Sequence, residues 1–170
     1  MFFNGSYSRE GLGVGIVIIS LSNEVVSLSY KLEFETTNNI KEYEALLLGL
    51  RAAKDMGIQK LATFGDLDLI IHQVRNLYQT RQSRLKQYLN DIWDLMDNSF
   101  LAFNITFIPR NENLQADSLS LAANNFKSHL HPKIRYEVEL RHRPSILDNI
   151  KYWRVFDDDI ELKRFLKFVE

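Results

Sequence analysis

The first 32 residues contain three strand-like segments whose connections are too short to hold a helix. Residues 1–3 form a short apolar run, after which the dipeptide Asn4-Gly5 predicts a turn. Segment 12–20, with its spaced glycines and apolar run, predicts a buried strand, and segment 25–32 predicts the return strand of a hairpin. Consecutive strands joined by tight turns pair antiparallel. The chain is therefore expected to begin with an antiparallel meander.

From residue 39 the hydrophobic spacing changes from that of a strand to that of a helix. Ile40, Tyr43, Leu47 and Leu50 fall on one helical face, and Gly57 predicts the end of this helix. The later segments predict a strand at 60–65, helices at 67–77 and 84–96, a strand at 101–108 and a helix at 114–123. This order predicts an α/β fold with a mixed sheet and helices on its faces.

The character of the chain changes after about residue 126, and this change predicts two units. Residues 1–126 form the predicted α/β domain, and residues 127–170 form a C-terminal extension. Within the extension, residues 136–140 predict a lone strand and residues 157–168 predict a helix. The extension is rich in aromatic and aliphatic side chains, so it is also a candidate surface for a protein partner.

Composition excludes several classes of protein. No apolar run approaches the roughly 20 residues that span a bilayer, and no export signal is present, so we expect an intracellular protein of the cytoplasm or nucleus without membrane contact. The absence of cysteine excludes disulfides and thiolate metal sites. The formal net charge is −1, so any nucleic acid must be bound by a local patch rather than a global basic field.

Three acids and one amide stand at positions that suit a phosphodiesterase site. Glu42 and Asp117 lie on predicted helices, Asp66 follows a predicted strand, and Asn4 ends the first strand. Two divalent cations roughly 3.5–4 Å apart need several negative oxygens around them, which such acids supply. For Asp66 the alternative is a plain role as the N-cap of the next helix.

The motif around Glu42 resembles that of a known family. Residues 32–50, LEFETTNNIKEYEALLLGL, are similar to the type 1 ribonuclease H family, and within it to the ribonuclease H region of gypsy-type LTR retrotransposon polyproteins of plants. In the extension, residues 142–149 (HRPSILDN) and 152–156 (YWRVF) resemble the connector that precedes integrase in those polyproteins.

The resemblance implies a fold, a reaction and a set of ligands. The fold is a five-stranded mixed sheet flanked by helices, and the reaction is hydrolysis of the RNA strand of an RNA–DNA hybrid. Four carboxylates hold two magnesium ions, or manganese, in the family. Carried over, these positions are Glu42, Asp66 and Asp117, with Asn4 in place of the first aspartate. The family often has serine after the third acid, where this chain has Leu67, and the loop before the last helix lacks the histidine of cellular enzymes.

The neutral side chain at position 4 predicts impaired catalysis. An asparagine oxygen can ligate a cation but carries no charge, and each charge–charge contact at ~4 Å is worth ~4 kcal/mol at an effective dielectric near 20. We therefore expect Glu42, Asp66 and Asp117 to hold at most one magnesium ion weakly, with little or no cleavage. The competing hypothesis is a pseudoenzyme that has become a protein-interaction module.

The resemblance also predicts contacts with nucleic acid. Thr37, Asn38 and Asn39 correspond to residues that meet the minor groove and phosphates of the RNA–DNA hybrid, where 2′-hydroxyls distinguish RNA from DNA. An asparagine-rich helix cap is the alternative. A second candidate is a basic cluster that either tracks a phosphate backbone or is a solvated helix face: Arg75, Arg81, Arg84 and Lys86.

Overall fold

A computed structural model describes residues 1–9, 11–124 and 138–146 of the chain. Among these residues, six strands form one sheet in the spatial order β5-β4-β1-β2-β3-β6. The strands are β1 (Phe2–Ser8), β2 (Gly11–Ile19), β3 (Val25–Leu32), β4 (Lys60–Gly65), β5 (Ala102–Phe107) and β6 (Glu139–Arg141). β1, β2 and β3 pair antiparallel, and the remaining pairs are parallel. The predicted meander followed by parallel strands is confirmed.

Helices cover both faces of the sheet. They are α1 (Asn38–Asp55), α2 (Asp68–Val74), α3 (Ser83–Ser99) and α4 (Leu114–Asn124), with a short 3-10 helix at Arg110–Glu112. Gly5 of β1 lies against α1 and Gly15 of β2 lies against α4. Since Gly15 pairs with Asn4, the neighbour of Gly5, side-chain alternation places α1 and α4 on opposite faces.

The turn predicted at Asn4-Gly5 is wrong, because β1 continues through both residues to Ser8. Each residue from Phe2 to Ser8 has a partner on β2, and Gly5 pairs with Val14. Seven consecutive pairs outweigh the local turn preference of an Asn-Gly dipeptide. The helix predicted at 67–77 is also shorter than expected, because it ends at Val74 and Asn76 follows with φ of 59°.

The strand predicted to stand alone at 136–140 is instead part of the sheet. Glu139 to Arg141 pairs with Tyr30 to Leu32 of β3, so the sheet has six strands rather than the predicted five. Ile146, five residues after β6, is 1% exposed and belongs to the hydrophobic core. The predicted helix at 157–168 lies outside the described residues, and the boundary at residue 126 stays a prediction.

The core lies mainly between the sheet and α1, and α1 is buried on nearly every side. Eleven of its eighteen residues are buried, among them the charged residues Glu42 and Glu44. Within residues 1–9, 11–124 and 138–146, no helix is both long and apolar enough to cross a membrane.

Candidate nucleic-acid site

Gly15 brings α4 close to the sheet beneath Asn4. A Cβ atom at residue 15 would lie 2.1 Å from the backbone oxygen of Ala116 and 2.6 Å from the backbone nitrogen of Ser120. No side chain fits in that space, so glycine is required for the close approach. As a result, the turn of α4 that carries Asp117 and Ser120 sits directly over the strand pair formed by Asn4 and Gly15.

Gly5 allows a similarly close approach of α1 on the other face of the sheet. A Cβ atom there would lie 2.8 Å from the backbone oxygen of Lys41. The backbone of β1 therefore meets the first turns of α1, and the Gly5 N–H donates to Oε2 of Glu42 at 3.2 Å. Glu42 is only 6% exposed, and the hydrogen bond from Gly5 fixes the position of its side chain against the sheet.

Asn4 is buried and directs its amide nitrogen toward α4. Nδ2 of Asn4 donates to Oδ1 of Asp117 at 2.9 Å and to Oγ of Ser120 at 3.1 Å. Ser120 in turn donates to the backbone oxygen of Asp117 at 2.7 Å. A carboxylate accepts hydrogen bonds and donates none when ionised, so the amide meets Asp117 through its nitrogen rather than its oxygen.

Two residues of the loop before α4 complete the surroundings of the acids. Arg110 forms an ion pair with Oδ1 of Asp117 at 3.3 Å, the same oxygen that accepts from Asn4. Asn113 is 1% exposed, and its Nδ2 donates to the backbone oxygen of Phe3 at 2.9 Å. A hydrogen bond from Asn113 and the charge of Arg110 both favour the ionised form of Asp66.

The predicted acids act on one another electrostatically. Burial, followed by the negative charge of Asp66, raises the pKa of Glu42 to about 8, with a smaller contribution from Asp117. Burial is also the main cause that raises the pKa of Asp66, and Arg110 opposes it. Glu42, Asp66 and Asp117 are thus within electrostatic reach of each other, which agrees with their predicted assembly at one site.

The arrangement does not fit a pair of divalent cations. In the part of the chain that the structure describes, no three His, Cys, Asp or Glu side chains are placed to hold a metal ion. Asn4 presents a donor where a cation requires an oxygen, and Oδ1 of Asp117 is already engaged by Asn4 and Arg110. The ligand set Glu42, Asp66 and Asp117 therefore stays a prediction.

The alternative that Asp66 caps the next helix is wrong, because the N-cap of α2 is Leu67. Thr37 does cap α1, since its hydroxyl accepts from the Ile40 N–H at 3.4 Å. Asn38 is exposed and Asn39 is partly exposed in the first turn of α1, one turn before Glu42. Their contact with nucleic acid stays a prediction.

The predicted basic cluster does not form one continuous surface. Lys86 is 2% exposed and faces the interior, so it cannot reach a phosphate backbone. Arg75 donates to the backbone oxygen of Ile105 on the edge strand β5. Arg81 remains exposed and Arg84 is partly buried. The burial of Lys86 fits neither a surface that tracks phosphates nor a solvated helix face, whereas both interpretations stay open for Arg81.

Sequence analysis missed three residues that shape the buried polar surroundings: Glu44, Asn113 and Ser120. Asn113 precedes Asp117 by four residues and Ser120 follows it by three, so both lie about one helical turn away. This spacing was the signal in the sequence that could have indicated them. Glu44 carried no such signal, because its partners lie on α3 and after β6.

Comparison with known proteins agrees with this fold. A family model described as reverse transcriptase-like matches residues 2–123, which include Asn4, Glu42, Asp66 and Asp117. The chain belongs to this ribonuclease H-like family. Among curated relatives, it is 31% identical to ribonuclease HI of Halobacterium salinarum over 122 residues. That match covers 70% of this chain and 60% of the relative, so the chain spans less than two thirds of the relative's length.

Solved structures support the ribonuclease H-like assignment. The crystal structure of ribonuclease H1 from Halobacterium salinarum superposes with a TM-score of 0.69 at 28% identity, covering 74% of this chain and 96% of that one. LC11 ribonuclease H1, solved in complex with an RNA/DNA hybrid, gives a TM-score of 0.64 at 24% identity. It covers 74% of this chain and 96% of that one. The second likeness supports the fold alone.

Proposed function

We propose that this chain is a retrotransposon-derived ribonuclease H-like domain that binds RNA–DNA hybrids and whose two-metal cleavage is impaired. The observation that carries the proposal is the hydrogen bond from Nδ2 of Asn4 to Oδ1 of Asp117. It gives one carboxylate of the site a partner within the protein, at the position where the family uses a fourth acid.

Charge explains why this contact impairs cleavage. With aspartate at position 4, four anions would face the phosphodiester, and cations would be needed to offset their repulsion. With asparagine at position 4, the three remaining acids repel the phosphodiester less and also attract cations less. In addition, Asp117 is already paired with Asn4 and Arg110. A second divalent cation would lose one strong charge contact, worth ~4 kcal/mol before desolvation at an effective dielectric near 20.

Surface chemistry near Glu42 supports nucleic-acid binding. Asn38 and Asn39 lie in the first turn of α1 with exposed side-chain surface, and amides suit hydrogen bonds to 2′-hydroxyls and base edges in a minor groove. Arg110 is 73% exposed at its side chain and stands beside Asp117, so it can meet a phosphate at the same place. The hybrid seen with LC11 ribonuclease H1 is the substrate class that this likeness suggests.

Sequence patterns support the retrotransposon origin. Residues 32–50 resemble the ribonuclease H region of plant gypsy-type polyproteins, and residues 142–149 and 152–156 resemble the connector before integrase. The family description, reverse transcriptase-like, is consistent with such an origin.

A cleavage and binding assay with Asn4→Asp tests the proposal. Labelled RNA–DNA hybrid is incubated with wild type and Asn4→Asp in magnesium and in manganese, and binding is measured by anisotropy without divalent ions. Asn104→Asp is the matched control, because it adds the same charge at an exposed position of β5. We expect wild type and Asn104→Asp to bind with little cleavage, and Asn4→Asp to cleave at least 100-fold faster, as about 3 kcal/mol of barrier corresponds to about that factor.

Two other outcomes of this assay would contradict the proposal. Efficient cleavage by wild type would contradict the impairment. Failure of wild type to bind the hybrid, together with no cleavage by Asn4→Asp, would instead favour the protein-interaction module.

A further inference from the structure

The chain holds a second buried polar site on the side of α1 away from the carboxyl cluster. Residues 138–146, here called the arm, lie along the edge of β3 and end in the core. The surface that receives them, here called the arm site, consists of residues 30–33 at the end of β3, Glu44 of α1 and Tyr88 of α3.

The first half of the arm is held mainly by backbone pairing, and just after β6 Nδ1 of His142 lies 2.7 Å from Oε2 of Glu33. Glu139 to Arg141 pairs with Tyr30 to Leu32, and the Glu33 N–H donates to the Arg141 oxygen at 2.8 Å. Leu140 remains 43% exposed. Pairing of this kind accepts nearly any extended segment, because the main chain supplies the contacts.

The second half of the arm is recognised through side chains. The Ser145 N–H donates to Oε1 of Glu44 at 2.6 Å, and the Ser145 hydroxyl donates to Oε2 at 2.8 Å. The adjacent Ile146 is 1% exposed in the core. Serine offers both donors to one carboxylate while the next side chain enters the hydrophobic core.

Glu44 is suited to select such a segment. It is 1% exposed, and its other described partner is the hydroxyl of Tyr88. Without Ser145, the carboxylate would keep one of its three donors, although an ionised carboxylate has roughly four acceptor positions. A buried carboxylate that lacks donors is strongly destabilising, so the arm site favours an occupant that supplies them.

We propose that the arm site is a peptide-binding site for an extended segment that carries a serine followed by an aliphatic residue, and that Glu44 selects the serine. In this chain the occupant is its own arm. The site uses none of Asn4, Asp66 or Asp117, so it stands apart from the proposed hybrid binding.

Hydrogen exchange in the full chain tests whether the arm is a separable ligand. The Ser145 amide donates to Glu44, so its exchange rate reports docking directly. In wild type we expect the arm amides to exchange at least tenfold faster than those of β2, through an opening that leaves the domain folded. Equal protection of the arm and β2, with both lost only on global unfolding, would show that the arm is an integral strand and would overturn the proposal.

Substitution of Ser145 tests the selection. Ser145→Ala removes one donor, and Ser145→Asp places a carboxylate against Glu44; we expect arm exchange to accelerate roughly tenfold and 100-fold, since each 1.4 kcal/mol is tenfold. Ser22→Asp in the exposed hairpin between β2 and β3 is the control and should change neither rate. Unchanged arm exchange in Ser145→Asp would rule out selection by Glu44.

Binding in trans completes the test. A labelled peptide of residues 138–146 should bind the full-length Ser145→Asp chain at least tenfold more tightly than wild type, whose site is filled. The same peptide with alanine for serine should bind at least tenfold more weakly, and Glu44→Gln added to Ser145→Asp should remove this preference. Equal binding of the serine and alanine peptides, or a wild-type dimer with exchanged arms in light scattering, would contradict the proposal as stated.

Discussion

Glu42 and Glu44 lie two residues apart on α1, and both are almost fully buried, yet their surroundings differ in kind. Glu42 accepts one hydrogen bond, from the Gly5 N–H, and lies in the field of Asp66 and Asp117. Glu44 accepts three hydrogen bonds, from Tyr88 and from the amide and hydroxyl of Ser145. Burial and, after it, the like charge of Asp66 disfavour the ionised form of Glu42, whereas Glu44 is surrounded by hydrogen-bond donors. One helix therefore holds one carboxylate that lies among other acids and one that lies among neutral donors.

The largest expected effect on stability comes from Gly15→Ala, which should disturb the carboxyl cluster and leave the arm site in place. Gly15→Ala would place a methyl group 2.1 Å from the Ala116 oxygen, so α4 must move and carry Asp117 away from Asn4. We expect the free energy of unfolding to fall by at least about 3 kcal/mol. Exchange at the Ser145 amide relative to global unfolding should change little, because this amide donates to Glu44 of α1, on the face of the sheet opposite α4.

The control for this change is Gly57→Ala. Nothing lies within 4 Å of a Cβ there, and only the φ of +75° opposes the substitution. Its cost in urea unfolding should be about 1 kcal/mol. Similar losses for both variants would mean that α4 does not depend on the gap at Gly15.

The next effect compares the two glutamates through the same substitution. Glu44→Gln replaces one of the two acceptor oxygens with an amide nitrogen that donates, so the Ser145 hydroxyl must turn from donor to acceptor or lose its hydrogen bond, and stability should fall by about 2 kcal/mol. Glu42→Gln should raise stability at pH 7.5, because Glu42, whose pKa is raised to about 8 by burial and by Asp66, must take up a proton on folding at that pH, whereas glutamine does not. Chemical denaturation of both variants at that pH measures the two signs, and equal signs would break the comparison.

The pH dependence of stability should report on the carboxyl cluster around Glu42. The pKa of Glu42 is raised from 4.5 to about 8 in the folded protein, so between these values the folded state binds more protons than the unfolded state. Stability therefore falls as pH rises from about 4.5 to 8. Glu42→Gln should flatten most of this slope, with a remainder from the raised pKa of Asp66. Urea midpoints across this range provide the measurement.

The smallest expected effect concerns Arg110. Its side chain is 73% exposed, so loss of its ion pair with Asp117 in Arg110→Ala should change stability by less than about 1 kcal/mol. Binding of the hybrid should weaken and its salt dependence should decrease by roughly one ion, if the guanidinium meets a phosphate. An unchanged salt slope would remove Arg110 from the proposed interface and leave Asn38 and Asn39 as its main candidates.

Much of the fold could be predicted because its signals are local. The strands at 25–32 and 60–65 and the helix at 114–123 follow from periodicity and turn residues, and they match the structure within one residue. The turn at Asn4-Gly5 was wrong because pairing with β2 is a non-local interaction that a dipeptide preference cannot register. The pairing of β6 with β3 joins residues more than 100 positions apart, and no local pattern specifies it.

The candidate site was predicted only in part for the same reason. Glu42, Asp66 and Asp117 stand out as acids at the ends of elements or on helices, and their mutual influence in the structure agrees with that prediction. The amide orientation of Asn4 depends on Ser120 and Asp117, which are brought there by the gap at Gly15. The burial of Glu44 depends on a segment 101 positions away.

Gly5 and Gly15 open toward opposite faces of neighbouring strands at almost the same level of the sheet. At that level α1 lies against the backbone of β1 at Gly5, and α4 lies against the backbone of β2 at Gly15, so the thickness of the sheet backbone sets the distance between the two helices. The two glycines therefore set the distance between Glu42 on α1 and Asp117 on α4. A methyl group added at either glycine would push its helix outward and move these two acids apart.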